Sequence, residues 1–260
     1  QRFALPLSYT RNIERYINQL TLFLKIKELF IYEIICINII RILMKFETIN
    51  SIPKKLPIFP LTGAVLFPDT QLPLNIFEPR YIQMVDSALA SPNRLIGMIQ
   101  PSSMESKGAG SLKKVGCIGR ISSFNEAEDS RYLITLTGVC RFTVNEELDT
   151  TTSYRQVIAD YNGFETDLDN VDLQSIDRSK LLALVKKYLE NKKILADWEI
   201  IQQTPTKQII NYSGVLVPFS PEEKQLLLES KDLISRCSVL EALFQSYVFD
   251  MNGERSDRLH

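Results

Sequence analysis

Residues 56–81 read LPIFPLTGAVLFPDTQLPLNIFEPRY, short apolar runs punctuated by proline and closed by a proline that suits a helix start. Proline has a fixed φ and no N–H to donate, so Pro57, Pro60, Pro68 and Pro73 must lie at strand ends or on sheet edges. The strands are therefore short. Ile58, Phe59 and Leu61, then Val65, Leu66 and Phe67, are the aliphatic and aromatic residues that a mostly buried pleated surface favours. Pro79 fits a first helical turn, and Tyr81, Ile82, Val85, Ala88 and Leu89 recur after it at helical spacing. Two buried strands feeding one helix are expected, with the period changing at Glu78.

Outward from this run, the pattern stays mainly β from Lys55 to about Phe164. Arg94–Gln100 alternates weakly and ends at Pro101. Ser102–Ser111, with Gly108 and Gly110, reads as a flexible polar connection. Val115–Phe124 and Arg131–Val139 read as a hairpin joined by Asn125–Ser130. Arg141–Val144 and Tyr154–Tyr161 would complete the sheet. Six or more short strands with one early helix predict a curled or barrel-like sheet, because a flat one leaves edges exposed.

After Asp167 the period becomes helical. Ile176, Leu181, Leu182, Val185, Tyr188 and Leu189 line one side of a helix, and Lys180, Lys186, Lys187, Lys192 and Lys193 lie elsewhere as a solvated face. Ser220, Pro221 and Glu223 supply an N-cap, a first-turn proline and an N3 carboxylate, the components of a capping box. Leu233, Cys237, Leu240, Phe244 and Tyr247 or Val248 mark a final amphipathic helix. The acidic stretch Glu165–Asp172 is the expected boundary. The chain thus reads as α+β: a β-rich part over 44–166, a helical part over 167–250 and a flexible tail over 251–260.

Several pieces in order resemble the Lon protease amino-terminal, substrate-binding domain family: LPIFPL, VLFP, LPLNIFEPRY, VGCIGRI (115–121) and GVCRF (138–142), then SPEEKQLLLE (220–229) and SRCSVLEALF (235–244). The likeness covers about residues 55–249. Asp69 stands where that family commonly has glycine, which puts the local turn in question. The resemblance implies a PUA-like β part followed by a helical bundle, acting as a binding module for protein substrates.

Composition sets independent bounds. The 260 residues are 45% hydrophobic and 23% charged, with 30 basic against 31 acidic side chains, for a net charge of −1. No broad basic field exists to hold phosphates or an anionic membrane face, so nucleic acid is not an expected partner. Cys36, Cys117, Cys140 and Cys237 form no C-x-x-C pair, which suggests neither a zinc site nor a disulfide scaffold and fits a reducing cytoplasm.

Residues 1–43 differ from the rest: they contain no Gly or Asp and one Ala. Lys25, Lys27, Glu28, Glu33 and Arg41 interrupt the apolar segment 20–43. The longest uncharged run within it, Ile34–Ile40, is far short of the ~20 residues that a bilayer span needs. The expectation is that Met44 is the natural start and 1–43 upstream sequence. Without 1–43, 24 basic residues face 28 acidic ones.

Catalytic chemistry has little to stand on. No G-x-x-x-x-G-K-[ST] phosphate loop occurs, and the one histidine, His260, is terminal, where proton-transfer geometry is hard to hold. No catalytic residue, cofactor or metal ligand is assigned, and a non-enzymatic role is expected. Glu78, Arg80 and Tyr81 at the helix start, with Arg141 and Phe142, are the candidate peptide-binding residues, since an aromatic beside an arginine is typical of binding hot spots. The competing reading is structural: an ion pair or cap for Glu78 and Arg80, and a core position for Phe142. Capture of an apolar, unfolded protein segment in a groove between the β and α parts is the leading functional expectation. The alternatives are a PUA-like RNA or small-molecule binder, and a hydrolase or peptidase with an unrecognised site.

Overall fold

A computed structural model describes residues 46–102, 111–169 and 173–256, with 249–256 in backbone alone. The expectations for residues 1–43 and most of the 102–111 connection lie outside the described residues. The sheet and the helices named below belong to one compact unit, Glu47–His260.

The sheet strands are β1 (Lys55–Pro60), β2 (Gln71–Ile76), β3 (Leu95–Ile99), β4 (Val115–Glu126), β5 (Tyr132–Leu148) and β6 (Gln156–Asp160), with helix α1 (Pro79–Ala90) between β2 and β3. Their order is β2-β5-β4-β3-β1-β6, and an additional β5–β6 pairing closes β5, β4, β3, β1 and β6 into a ring. The expected barrel-like sheet is therefore present. Closure depends on the length of β5. Its residues 143–148 pair with β6, while 132–137 pair with β2. The predicted break between 139 and 141 is absent, and bulges near Ile118/Gly119 and Val144/Glu146 let one long strand bend through the corner.

The prolines obey their constraint. Pro57 pairs only with Gln156 of β6, because β3 joins β1 from Ile58 onward. Pro73 lies in β2, the open edge of the sheet. The second expected strand, however, is displaced: Val65–Phe67 is buried without being a strand, and β2 begins at Gln71. Local hydrogen bonds replace the ladder there. Thr70 Oγ1 donates to Phe67 O at 2.8 Å and accepts from Phe67 N–H at 3.2 Å. Asp69 N–H donates to Gly138 O, and Gly138 N–H to Thr70 O. Gly138 is required here, since a Cβ would lie 2.0 Å from Phe67 O. Asp69 has φ 62°, the left-handed conformation that glycine adopts without steric cost.

The helical half comprises α2 (Arg178–Asn191), α3 (Trp198–Gln203), α4 (Thr206–Leu216), α5 (Pro221–Glu229) and α6 (Leu233–Ser256). Asp177 caps α2 through Lys180 N–H. The Ser220/Glu223 capping box forms reciprocally, at 3.2 and 2.7 Å. One hydrophobic core runs through both halves: Phe67, Val85, Met98 and Leu136 share it with Leu181, Ile210, Leu228 and Phe244. Among the described residues no helix is long and apolar enough to cross a membrane.

Candidate functional site

The five residues singled out from the sequence separate into two places. Glu78, Arg80 and Tyr81 remain together where β2 gives way to α1. Pro79 occupies the first helical turn, and the Glu78 side chain makes no cap; it takes Arg80 instead, at 2.9 Å from Nε and 2.8 Å from Nη2. The Arg80 guanidinium lies over the Tyr81 ring, 4.5 Å from its centroid. Tyr81 turns inward against Phe59, with centroids 4.3 Å apart, and burial raises its phenol pKa. Only the charged pair faces solvent.

Arg141 and Phe142 are elsewhere and are fully buried, which withdraws both from a peptide-gripping surface. The Phe142 ring packs against Gly97 and Gly116 inside the barrel. Arg141 reaches the opposite way. Its Nε and Nη2 donate to Asp167 Oδ2 and Oδ1 at 2.8 and 2.9 Å, its backbone N–H also reaches Oδ2, and Nη1 donates to Leu228 O and Ser230 O. It ties β5 to the α5–α6 connection. A second buried arginine, Arg236 on α6, lies nearby and was not anticipated. Burial, followed by the charge of Arg141, lowers its pKa to about 10, so it stays charged at neutral pH. Both arginines fall within family-like runs, GVCRF and SRCSVLEALF. Those runs were the only available signal, and they do not say which carboxylate or carbonyl an arginine will meet.

The seam between the β and α halves is packed where Phe67 meets the helices. Phe67 touches Gly214 of α4 and stands 5.1 Å from the Arg236 guanidinium. A cavity of about 10 Å³ remains. Around Phe67, then, the seam is packed rather than open as a capture groove.

Open apolar surface occurs instead on the outer face of β2, β5 and β4. Register places two rungs side by side there: Pro73, Thr135 and Ser123, then Asn75, Leu133 and Asn125. They line a shallow trough of about 400 Å³ with a largely apolar surface and no charged residue. Leu133 is 43% exposed. The alternation that turns Pro73 and Asn75 outward continues to Phe77, which is 65% exposed and directly precedes Glu78. Phe77 thus links β2, which borders the trough, to the Glu78/Arg80 pair along the chain. Among the described residues, no group of three or more His, Cys, Asp and Glu is placed to hold a metal ion.

The profile of the ATP-dependent protease La (LON) substrate-binding domain matches residues 55–244, and the chain belongs to that family. Among curated relatives, Lon protease 2 of Myxococcus xanthus is 28% identical over 75% of this chain, and the Lon protease of Desulfosudis oleivorans 34% over 36%. The chain spans only 24% and 12% of those two proteins. Two solved structures share the fold. The Lon N-terminal domain protein from Xanthomonas campestris is 20% identical, with TM-score 0.53 over 73% of this chain and 98% of its own. The N-terminal domain of the Mycobacterium avium complex Lon protease is 16% identical, with TM-score 0.55 over 76% and 99%.

Proposed function

We propose that this domain is a non-catalytic recognition module that captures extended, apolar segments of other proteins on the outer face of β2, β5 and β4. Glu78 and Arg80 form the polar margin of that face. The observation that carries this reading is the trough itself, where Leu133 stays exposed, with exposed Phe77 following β2 in the most family-like run of the sequence. Its size suits one or two side chains. An aromatic group buries ~150–250 Å², a gross gain of about 4–6 kcal/mol at ~25 cal/mol per Å². Association itself costs at least ~4 kcal/mol, so one side chain holds weakly. Capture therefore requires several apolar residues along one segment, the condition that an unfolded chain meets and a folded one does not. The uncharged lining is a poor match for a phosphate backbone, which weighs against RNA as the occupant.

The test is binding of reduced, carboxymethylated α-lactalbumin, a permanently unfolded probe, compared with its native form. Leu133→Asp and Phe77→Asp should each raise Kd for the unfolded probe about tenfold, the effect of ~1.4 kcal/mol, with melting temperature nearly unchanged. Unaltered affinity in both folded variants would remove the trough as the capture surface.

A further inference from the structure

Arg236 is 2% exposed, and two of its three side-chain nitrogens are accounted for. Nε donates to Leu227 O at 3.0 Å, Nη1 to Asn211 Oδ1 at 2.7 Å, and the guanidinium stands over the Phe67 ring. Nη2 is buried and meets no hydrogen-bond partner among the described residues. Leaving a buried donor unpaired costs about 1–3 kcal/mol, and more when it is charged. Arg236 lines the 10 Å³ cavity at the seam, together with Asp167, Thr166, Asn211 and Lys207.

Two occupants have the right chemistry to accept from Nη2, a water molecule and a halide ion. Hydrogen bonding favours water, because it can accept from Nη2 and also donate to a carboxylate on the same wall, whereas a halide only accepts. The Asp167 carboxylate forms part of that wall, and Lys207 is already paired with Asp69 at 2.7 Å. Asp167 accepts three hydrogen bonds from Arg141. A carboxylate offers about four acceptor positions, so one is left for a donor from the cavity.

We propose that this cavity is a binding site for a single water molecule that accepts from Arg236 Nη2 and donates to the Asp167 carboxylate. The water joins two networks that the protein leaves separate. On one side, Arg141 and Asp167 hold the barrel to the α5–α6 connection. On the other, Arg236 and Asn211 hold α6 to α4 and, through Asn211 Nδ2 to Pro68 O at 2.9 Å, to the loop before β2. Thr166 at the cavity is exposed, so the water exchanges past that side, and its residence time reports opening of the seam.

A high-resolution crystal structure of the protein, native and soaked in bromide, tests the assignment. One peak at hydrogen-bonding distance from Nη2 is expected, with no anomalous bromide signal there. In solution, oxygen-17 magnetic relaxation dispersion counts long-lived internal waters, and Arg236→Met should lower that count by one. A dry cavity, a bromide peak, or an unchanged water count in folded Arg236→Met would each overturn the proposal. If that variant does not fold, the native crystal density decides alone.

Discussion

Arg141 and Asp167 form a two-pronged ion pair in the interior, with Nε to Oδ2 at 2.8 Å and Nη2 to Oδ1 at 2.9 Å, and the arginine is 0% exposed. They are 26 positions apart, and the remaining guanidinium hydrogens go to carbonyls of the helical half. A residue whose type suggested a binding hot spot is instead the joint between the two halves.

Removing one member should be costly, because it leaves a buried charge without its counter-charge. Asp167→Asn keeps the shape and should destabilise by about 3–5 kcal/mol. For a domain of this size that is a fall in melting temperature of roughly 6–20 °C. Thermal unfolding by circular dichroism measures it, and a fall of only a degree or two would show that the seam does not depend on the pair.

Arg80→Ala should behave in the opposite way. Its pairing with Glu78 is exposed and contributes about 0–1 kcal/mol, and the contact with the Tyr81 ring adds ~0.5–1 kcal/mol at such a site. Melting should shift little, while Kd for carboxymethylated α-lactalbumin rises roughly 5- to 10-fold, the equivalent of ~1–1.4 kcal/mol. Large destabilisation with binding per folded molecule unchanged would assign Arg80 to the scaffold.

The left-handed turn at Asp69 gives a paired comparison. Asp69→Ala loses the Lys207 ion pair and keeps a conformation unfavourable to any residue with a Cβ, whereas Asp69→Gly loses the same pair and relieves the backbone. Glycine should be the more stable variant by about 1 kcal/mol, measured by urea denaturation. Alanine equal to or better than glycine would contradict the strain at φ 62°.

Cys117, Cys140 and Cys237 are buried free thiols. Burial is the first cause of the upward shift in each; it pushes Cys117 well up and, aided by Glu241, Cys237 to about 11. In a Cys36→Ser background, iodoacetamide should therefore leave the native protein nearly unmodified and label all three after denaturation. Above ~8.5 an unfolded thiol loses its proton while the folded one keeps it, so the folded state binds more protons and stability falls as pH rises. A melting temperature that rises across that alkaline range, or rapid native labelling, would contradict the burial.

Local signals in the chain already determined the hairpin of β4 and β5, the helix start at Pro79, the capping box at Ser220 and the edge position of Pro73. Each depends on residues within a few positions: a period of two or 3.6, a cap, a missing N–H. The run LPLNIFEPRY likewise placed Glu78, Arg80 and Tyr81 on one turn. What lies further apart was decided by tertiary structure alone. Val65–Phe67 has strand-like residues, yet Thr70 and Gly138 satisfy its backbone as a buried loop. Arg141 went to a carboxylate 26 positions away and a carbonyl 87 away. Only the folded chain shows which partners will compensate a buried charge. The same holds for the surface: the seam is packed around Phe67, and register between β2, β5 and β4 brought uncharged side chains from three strands into a trough that no single segment encodes.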